Sequence, residues 1–184
     1  MRLFSRMFFA RRLCLGVAVI GILSGVNESS AQVATYYWKD NNNNGQWDWS
    51  NNQWWYGEGS YLVGGVNNNG GAVIYFENNG QTTTTINNAS AFTGGWFKLN
   101  SIYAAANSTG RNYVVNVVSG QTGIELYGKI ETISGGGTLS FANIDVQLGG
   151  AAEINAVGNT VTLGGLRMNG QTLNSYGPLE VATC

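Results

Sequence analysis

From Ile124 to Leu173 apolar residues recur in short runs, Ile124/Leu126, Ile130/Ile133, Leu139/Phe141, Ile144/Val146/Leu148, Ala152/Ile154/Ala156, Val161/Leu163 and Leu166/Met168. Gly128, Gly135-Gly136-Gly137, Gly149-Gly150, Gly158-Asn159 and Gly164-Gly165 stand between them. A period of two sends alternate side chains to opposite faces of a strand, and glycine and asparagine supply the turns. The pattern predicts strands of three to six residues and an all-β fold. Ile124/Leu126 and Ile144/Val146 stand twenty residues apart. Three short strands in about twenty residues make one turn of a right-handed parallel β-helix, a solenoid. The spacing is loose, since Val161/Leu163 follows after seventeen residues. A β-sandwich is the alternative, although its strands run longer, with turn signals every ~8–12 residues. The same parity turns Glu125, Asp145 and Glu153 outward, beside inward Ile124, Val146 and Ile154.

Upstream the texture changes. Residues 35–61 hold five of the six tryptophans, with Tyr36-Tyr37-Trp38, the run Asn41 to Asn44, Trp47-Asp48-Trp49 and Trp54-Trp55-Tyr56. We divide the chain into a signal peptide at 1–31, a Trp/Asn-rich N-terminal cap at 32–61 and a β-solenoid at 62–184. Trp38, Trp47, Trp49 and Trp54 are the candidate ligand-binding residues, because an aromatic face stacks on the apolar side of a sugar ring while asparagine amides meet its hydroxyls. The rival role for the same four is to close the end of the solenoid, which a terminal repeat must do.

The first residues carry Arg2, Arg6, Arg11 and Arg12 ahead of an apolar run from Leu13 to Val26 and then Ser29-Ser30-Ala31. This is the layout of a Sec-type secretory signal, cut between Ala31 and Gln32, and the apolar run falls short of the roughly 20 residues that span a bilayer. The expected location is therefore secreted or cell-surface, with no stable membrane span in the mature chain. Cleavage removes four Arg and Glu28, leaving five basic and nine acidic residues, a net charge of about −4. So few scattered cations exclude a nucleic-acid partner. There is no histidine among the 184 residues, which excludes His-based catalysis and imidazole metal sites. Cys184 is the only cysteine after residue 31, so no intrachain disulfide forms.

The runs Val73-Ile74-Tyr75-Phe76, Thr82 to Ile86, Trp96-Phe97-Lys98-Leu99, Tyr113-Val114-Val115, Gly123-Ile124-Glu125-Leu126, Ala152 to Gly158 and Val161-Thr162-Leu163-Gly164-Gly165 together resemble the N-terminal part of bacterial autotransporter-associated β-strand repeat proteins. Trp38, Gly45-Gln46-Trp47 and Asn52-Gln53-Trp54 resemble their Trp-rich opening. The resemblance spans roughly residues 35–170. It implies an exported, cell-surface or outer-membrane passenger built as a long β-helix. The translocator barrel of such proteins is not present, so the chain is expected to be either a truncated product or a stand-alone module. An uncapped last turn would leave a strand edge open to self-association.

Candidate chemistry is sparse. Asp40-Asn41-Asn42-Asn43-Asn44-Gly45-Gln46-Trp47-Asp48 spaces oxygen ligands like a calcium loop, but position 12 is Asn51 instead of a bidentate Glu, so a solvated Asn-rich turn is expected and no metal is assigned. No cofactor is called for. Glu125, Asp145 and Glu153 are too few, with too few cations beside them, for a polysaccharide-degrading groove. The expected function is a non-catalytic, exported, structural or adhesive β-helix module at the cell surface. A carbohydrate-binding module using the Trp-rich block is the alternative, followed by a β-helix polysaccharide-degrading enzyme. The expected partners are cell-surface or extracellular glycans and a second copy at an open solenoid end.

Overall fold

The computed structural model describes residues 34–40, 45–46, 54–56, 60–61, 69–78, 80–87, 89–157 and 159–183. The signal peptide predicted at 1–31 lies outside them, as does Cys184. Fifteen strands and two 3₁₀ turns, Ala89–Ala91 and Ala106–Ser108, make up the regular structure of the described residues. The strands are β1 (Ala34–Trp38), β2 (Trp54–Tyr56), β3 (Ser60–Tyr61), β4 (Ala72–Phe76), β5 (Thr83–Ile86), β6 (Trp96–Leu99), β7 (Ser101–Ala104) and β8 (Asn112–Val117). They continue as β9 (Gly123–Leu126), β10 (Lys129–Thr132), β11 (Thr138–Leu148), β12 (Ala152–Asn155), β13 (Val161–Arg167), β14 (Leu173–Tyr176) and β15 (Leu179–Thr183). The fold is all-β.

Pairing runs along three ladders of parallel strands. The first joins β1, β4, β7, β10, β12 and β14, and aligns Tyr36, Ile74, Ile102, Ile130, Ile154 and Ser175. The second joins β5, β8, the first part of β11, the first part of β13, and β15, aligning Tyr113, Leu139, Val161 and Leu179. The third joins β6, β9 and the second parts of β11 and β13, aligning Phe97, Ile124, Val146 and Leu166. The chain visits the ladders in turn and returns to each one strand further along. At the start β2 and β3 add to β1 as an antiparallel ribbon.

Inward positions are apolar and buried, including Ile74, Ile102, Ile130, Ile154, Leu126, Leu148, Leu139 and Leu163, so burying these faces drives the stacking. The parity predicted for Ile144, Val146 and Leu148 holds. In β10 the inward pair is Ile130 and Thr132 instead of Ile130 and Ile133, because strand alternation sends i and i+2 to one face and Ile133 falls on the other.

The repeat interval differs from the expected twenty. Ile74, Ile102 and Ile130 follow at steps of 28, Ile154 comes 24 later and Ser175 another 21. Ile124 aligns with Val146 and not with Ile144, while Val161 and Leu163 align with Leu139 and Phe141. The corner between the second and third ladders explains the drift. It is a loop, residues 118–122, between β8 and β9. In β11 it contracts to an irregularity between Phe141 and Asp145 inside one continuous strand. β11 therefore runs eleven residues, where separate strands of at most six were expected. In β13 the corner contracts again to Gly164, where an added Cβ would sit 2.7 Å from both the Ala142 and the Ile144 carbonyl oxygens. Core side chains shrink along the same direction. In one inward column Trp38 and Phe76 give way to Ala104, Thr132 and Ala156, and in another Tyr113 gives way to Leu139 and Val161.

Candidate functional site

The outward positions of the first ladder form a row. Tyr37, Tyr75, Tyr103, Glu131, Asn155 and Tyr176 share one register column. In-register parallel strands hold equivalent side chains about one strand spacing apart, which is a stacking distance for aromatic rings. Tyr37 and Tyr75 stack at 5.3 Å between centroids and Tyr75 and Tyr103 at 4.6 Å with an 8° interplanar angle. The Lys129 ammonium lies 5.6 Å from the Tyr103 centroid and pairs with Glu131 at 2.7 Å. Asn155 Nδ2 donates to Glu131 Oε1 at 3.3 Å. Burial pushes the Tyr75 phenol above its ordinary value, helped by Tyr103, Tyr37 and Glu131. The hydrogen bond to Glu131 raises Lys129 and keeps it charged. Tyr103 is thus held between Tyr75 and the Lys129 ammonium, so it offers its edge and hydroxyl to the outside.

Beside Tyr103 a groove of about 450 Å³ opens on the same face. Asn100, Ser101, Lys129, Glu153 and Asn174 line it, over small residues Gly128, Ala151 and Ala152. Ser101 Oγ donates to Asn100 Oδ1 at 2.8 Å and accepts from the Lys129 backbone N–H at 3.0 Å.

Elsewhere the outward carboxylates are engaged. Asp145 Oδ2 accepts from Arg167 Nη2 at 2.7 Å and Nε at 3.0 Å, and the Arg167 guanidinium lies 5.3 Å from the Trp96 ring. Glu125 accepts from the Tyr127 hydroxyl at 2.7 Å. Desolvation, that hydrogen bond and the carboxylate charge push Tyr127 up to about 12. Lys39 pairs with Glu77 at 2.7 Å. Glu125 and Asp145 belong to the third ladder and Glu153 to the first, so the three carboxylates weighed for an enzyme do not converge.

Of the four tryptophans proposed for ligand binding, Trp38 is 0% exposed. Its ring meets Phe76 edge-on at 6.3 Å and its Nε1 donates to Gln81 O at 3.2 Å. No ring face is open to a sugar, so Trp38 acts as core. Trp54 pairs with Trp38 across β1 and β2 through the backbone; its side chain, and the whole of Trp47 and Trp49, lie outside the described residues. In the Asn-rich loop, Asp40 is buried and adopts a positive φ of 48°. Its carboxylate accepts the backbone N–H groups of Gly45 and Gln81 at 2.9–3.2 Å. Residues 41–44 and 47–48 are outside the described set. Gly80, at φ +67°, is required beneath this turn, since a Cβ there would stand 2.5 Å from Trp38 Nε1 and 2.7 Å from Asp40 Cβ. Among the described residues no group of three His, Cys, Asp or Glu is placed to hold a metal. No helix among them is long and apolar enough to cross a membrane.

Reasoning from sequence passed over Tyr75, Tyr103 and Lys129. A signal for them exists in the pairs Ile74-Tyr75, Ile102-Tyr103 and Ile130-Glu131, which recur at 28 residues and place a polar or aromatic residue one step after an inward isoleucine.

No protein-family model matches the chain, and no curated protein or solved structure matches it either.

Proposed function

We propose that the protein is an exported, non-catalytic module with a structural or adhesive role at the cell surface, built as a right-handed parallel β-helix of the autotransporter-passenger type. The observation that carries this is the return of the chain to the same three parallel ladders, turn after turn, with apolar residues inside and a polar, Asn- and Thr-rich surface outside. A stack of this kind gives each turn only its neighbours to pack on and presents long flat faces suited to contact. The engagement of Asp145, Glu131 and Glu125 by Arg167, Lys129 and Tyr127 favours a contact surface over acid–base chemistry, which needs a carboxylate poised toward substrate.

The test expresses the full chain in a Gram-negative, non-adherent bacterium. Surface or medium recovery beginning at Gln32, with greater retention of the cells on glycan-coated surfaces, is expected. Recovery in the cytoplasm with residues 1–31 attached, or export without any gain in retention, would overturn the proposal.

A further inference from the structure

We infer that the groove beside Tyr103 binds a neutral saccharide segment of about one or two pyranose rings; this rests on the adhesive role above and gives it a contact point away from the tryptophan block. The groove lies across β7, β10, β12 and β14, and β10 and β12 are paired on both sides. Their backbone groups are engaged, so the floor of the groove offers an extended peptide no main-chain partner; β14 alone, at the rim, has an open edge among the described residues. What the groove offers is side chains. The Glu153 carboxylate makes no hydrogen bond to the described residues. Asn100 uses its oxygen on Ser101 Oγ and keeps its amide donors. Lys129 spends one donor on Glu131 and has two more.

Sugar hydroxyls both donate and accept, and a vicinal pair can meet a carboxylate with one hydroxyl and an amide with the next. Charge selects a neutral ligand: Glu131 and Glu153 outnumber Lys129, and Lys129 is already paired, so a uronate or sulfated chain meets net repulsion. Size agrees as well. Gly128, Ala151 and Ala152 leave the floor open, and Tyr103, held between Tyr75 and Lys129, is a wall set before the ligand arrives, which lowers the ordering cost of binding. With no open aromatic face in the groove, the contact is made by hydrogen bonds and each site is weak; an adhesive gains its grip from many copies.

The experiment is a glycan array probed with the full chain, carrying neutral hexose oligosaccharides and their uronic-acid counterparts. Binding to neutral probes is expected, abolished by Ala151→Trp, which fills the groove, and weakened at least about tenfold by Glu153→Gln. Arg167→Ala, on the third ladder, should leave it unchanged. No binding to neutral probes, preference for the uronic acids, or undiminished binding by a folded Ala151→Trp would overturn the inference. If Ala151→Trp does not fold, the double variant Glu153→Gln, Asn174→Ala decides, and unchanged affinity there overturns it. A negative array from cells that still adhere overturns this site alone, whereas loss of adhesion overturns the adhesive role itself.

Discussion

Thr84 and Thr132 point into the core with hydroxyls that meet no partner among the described residues. A buried hydroxyl stripped of water without a replacement costs about 1–3 kcal/mol, and valine has nearly the same shape. Thr84→Val and Thr132→Val should therefore each raise stability, by about 1 kcal/mol, read from the midpoint of urea unfolding at constant slope. An unchanged or lower midpoint in both would show that these hydroxyls are satisfied in solution. Tyr127 works in the opposite sense. Its phenol is held protonated to about pH 12 against an ordinary value of 10.0, so the folded state retains a proton that the unfolded chain releases earlier. Its contribution is complete below pH 10 and is lost as pH rises toward 12. Tyr75, Tyr113 and Lys129 are shifted in the same direction. Stability should fall through this alkaline window, and Tyr127→Phe should make the fall shallower, measured by thermal unfolding across pH 9 to 12.

The elements show how far a period-two reading reaches. Strand positions and inward faces were legible because alternation is a local property of each run, and Val146, Leu148, Ile154, Val161 and Leu163 point where parity puts them. The pairing partners were not, because register depends on the length of corners, and corners leave no hydrophobic trace. The corner at Gly164 is the clearest case. Glycine stands there because two carbonyl oxygens of the preceding turn occupy the place of a side chain. Gly164→Ala must push β13 away from β11 and should cost about 1–3 kcal/mol, as overpacking does; a wild-type unfolding midpoint would show that the corner gives way freely. The groove was illegible for the same reason. Asn100, Lys129, Glu153 and Asn174 are scattered along the sequence and share a face only through the register of the first ladder, while the tryptophan block drew notice by composition alone.

Among the described residues, the parallel strands differ in how many neighbours they have. β10 and β11 have neighbours on both sides, whereas β14 and β15 pair with the described residues on one side only and leave Tyr176 55% exposed. Stacked repeats open from their ends. Amide hydrogen exchange should therefore be fastest in β14 and β15 and slowest in β10 and β11, and equal protection in β15 and β11 would mean that the stack opens as one unit. The contracting corner reaches further than stability. Because the loop at 118–122 becomes a kink in β11 and a single glycine in β13, the return interval along the first ladder falls from 28 to 24 to 21 residues, and one inward column runs from Trp38 and Phe76 to Ala104, Thr132 and Ala156. The turns are thus not interchangeable parts. A copy of residues 129–152 spliced in behind itself would meet a neighbour of its own length, but a copy of 101–128 in that place would bring the longer corner at 118–122 and the buried Tyr113 ring to a column filled by Leu139 and Val161. The protein can be lengthened only by pieces cut to the local gauge.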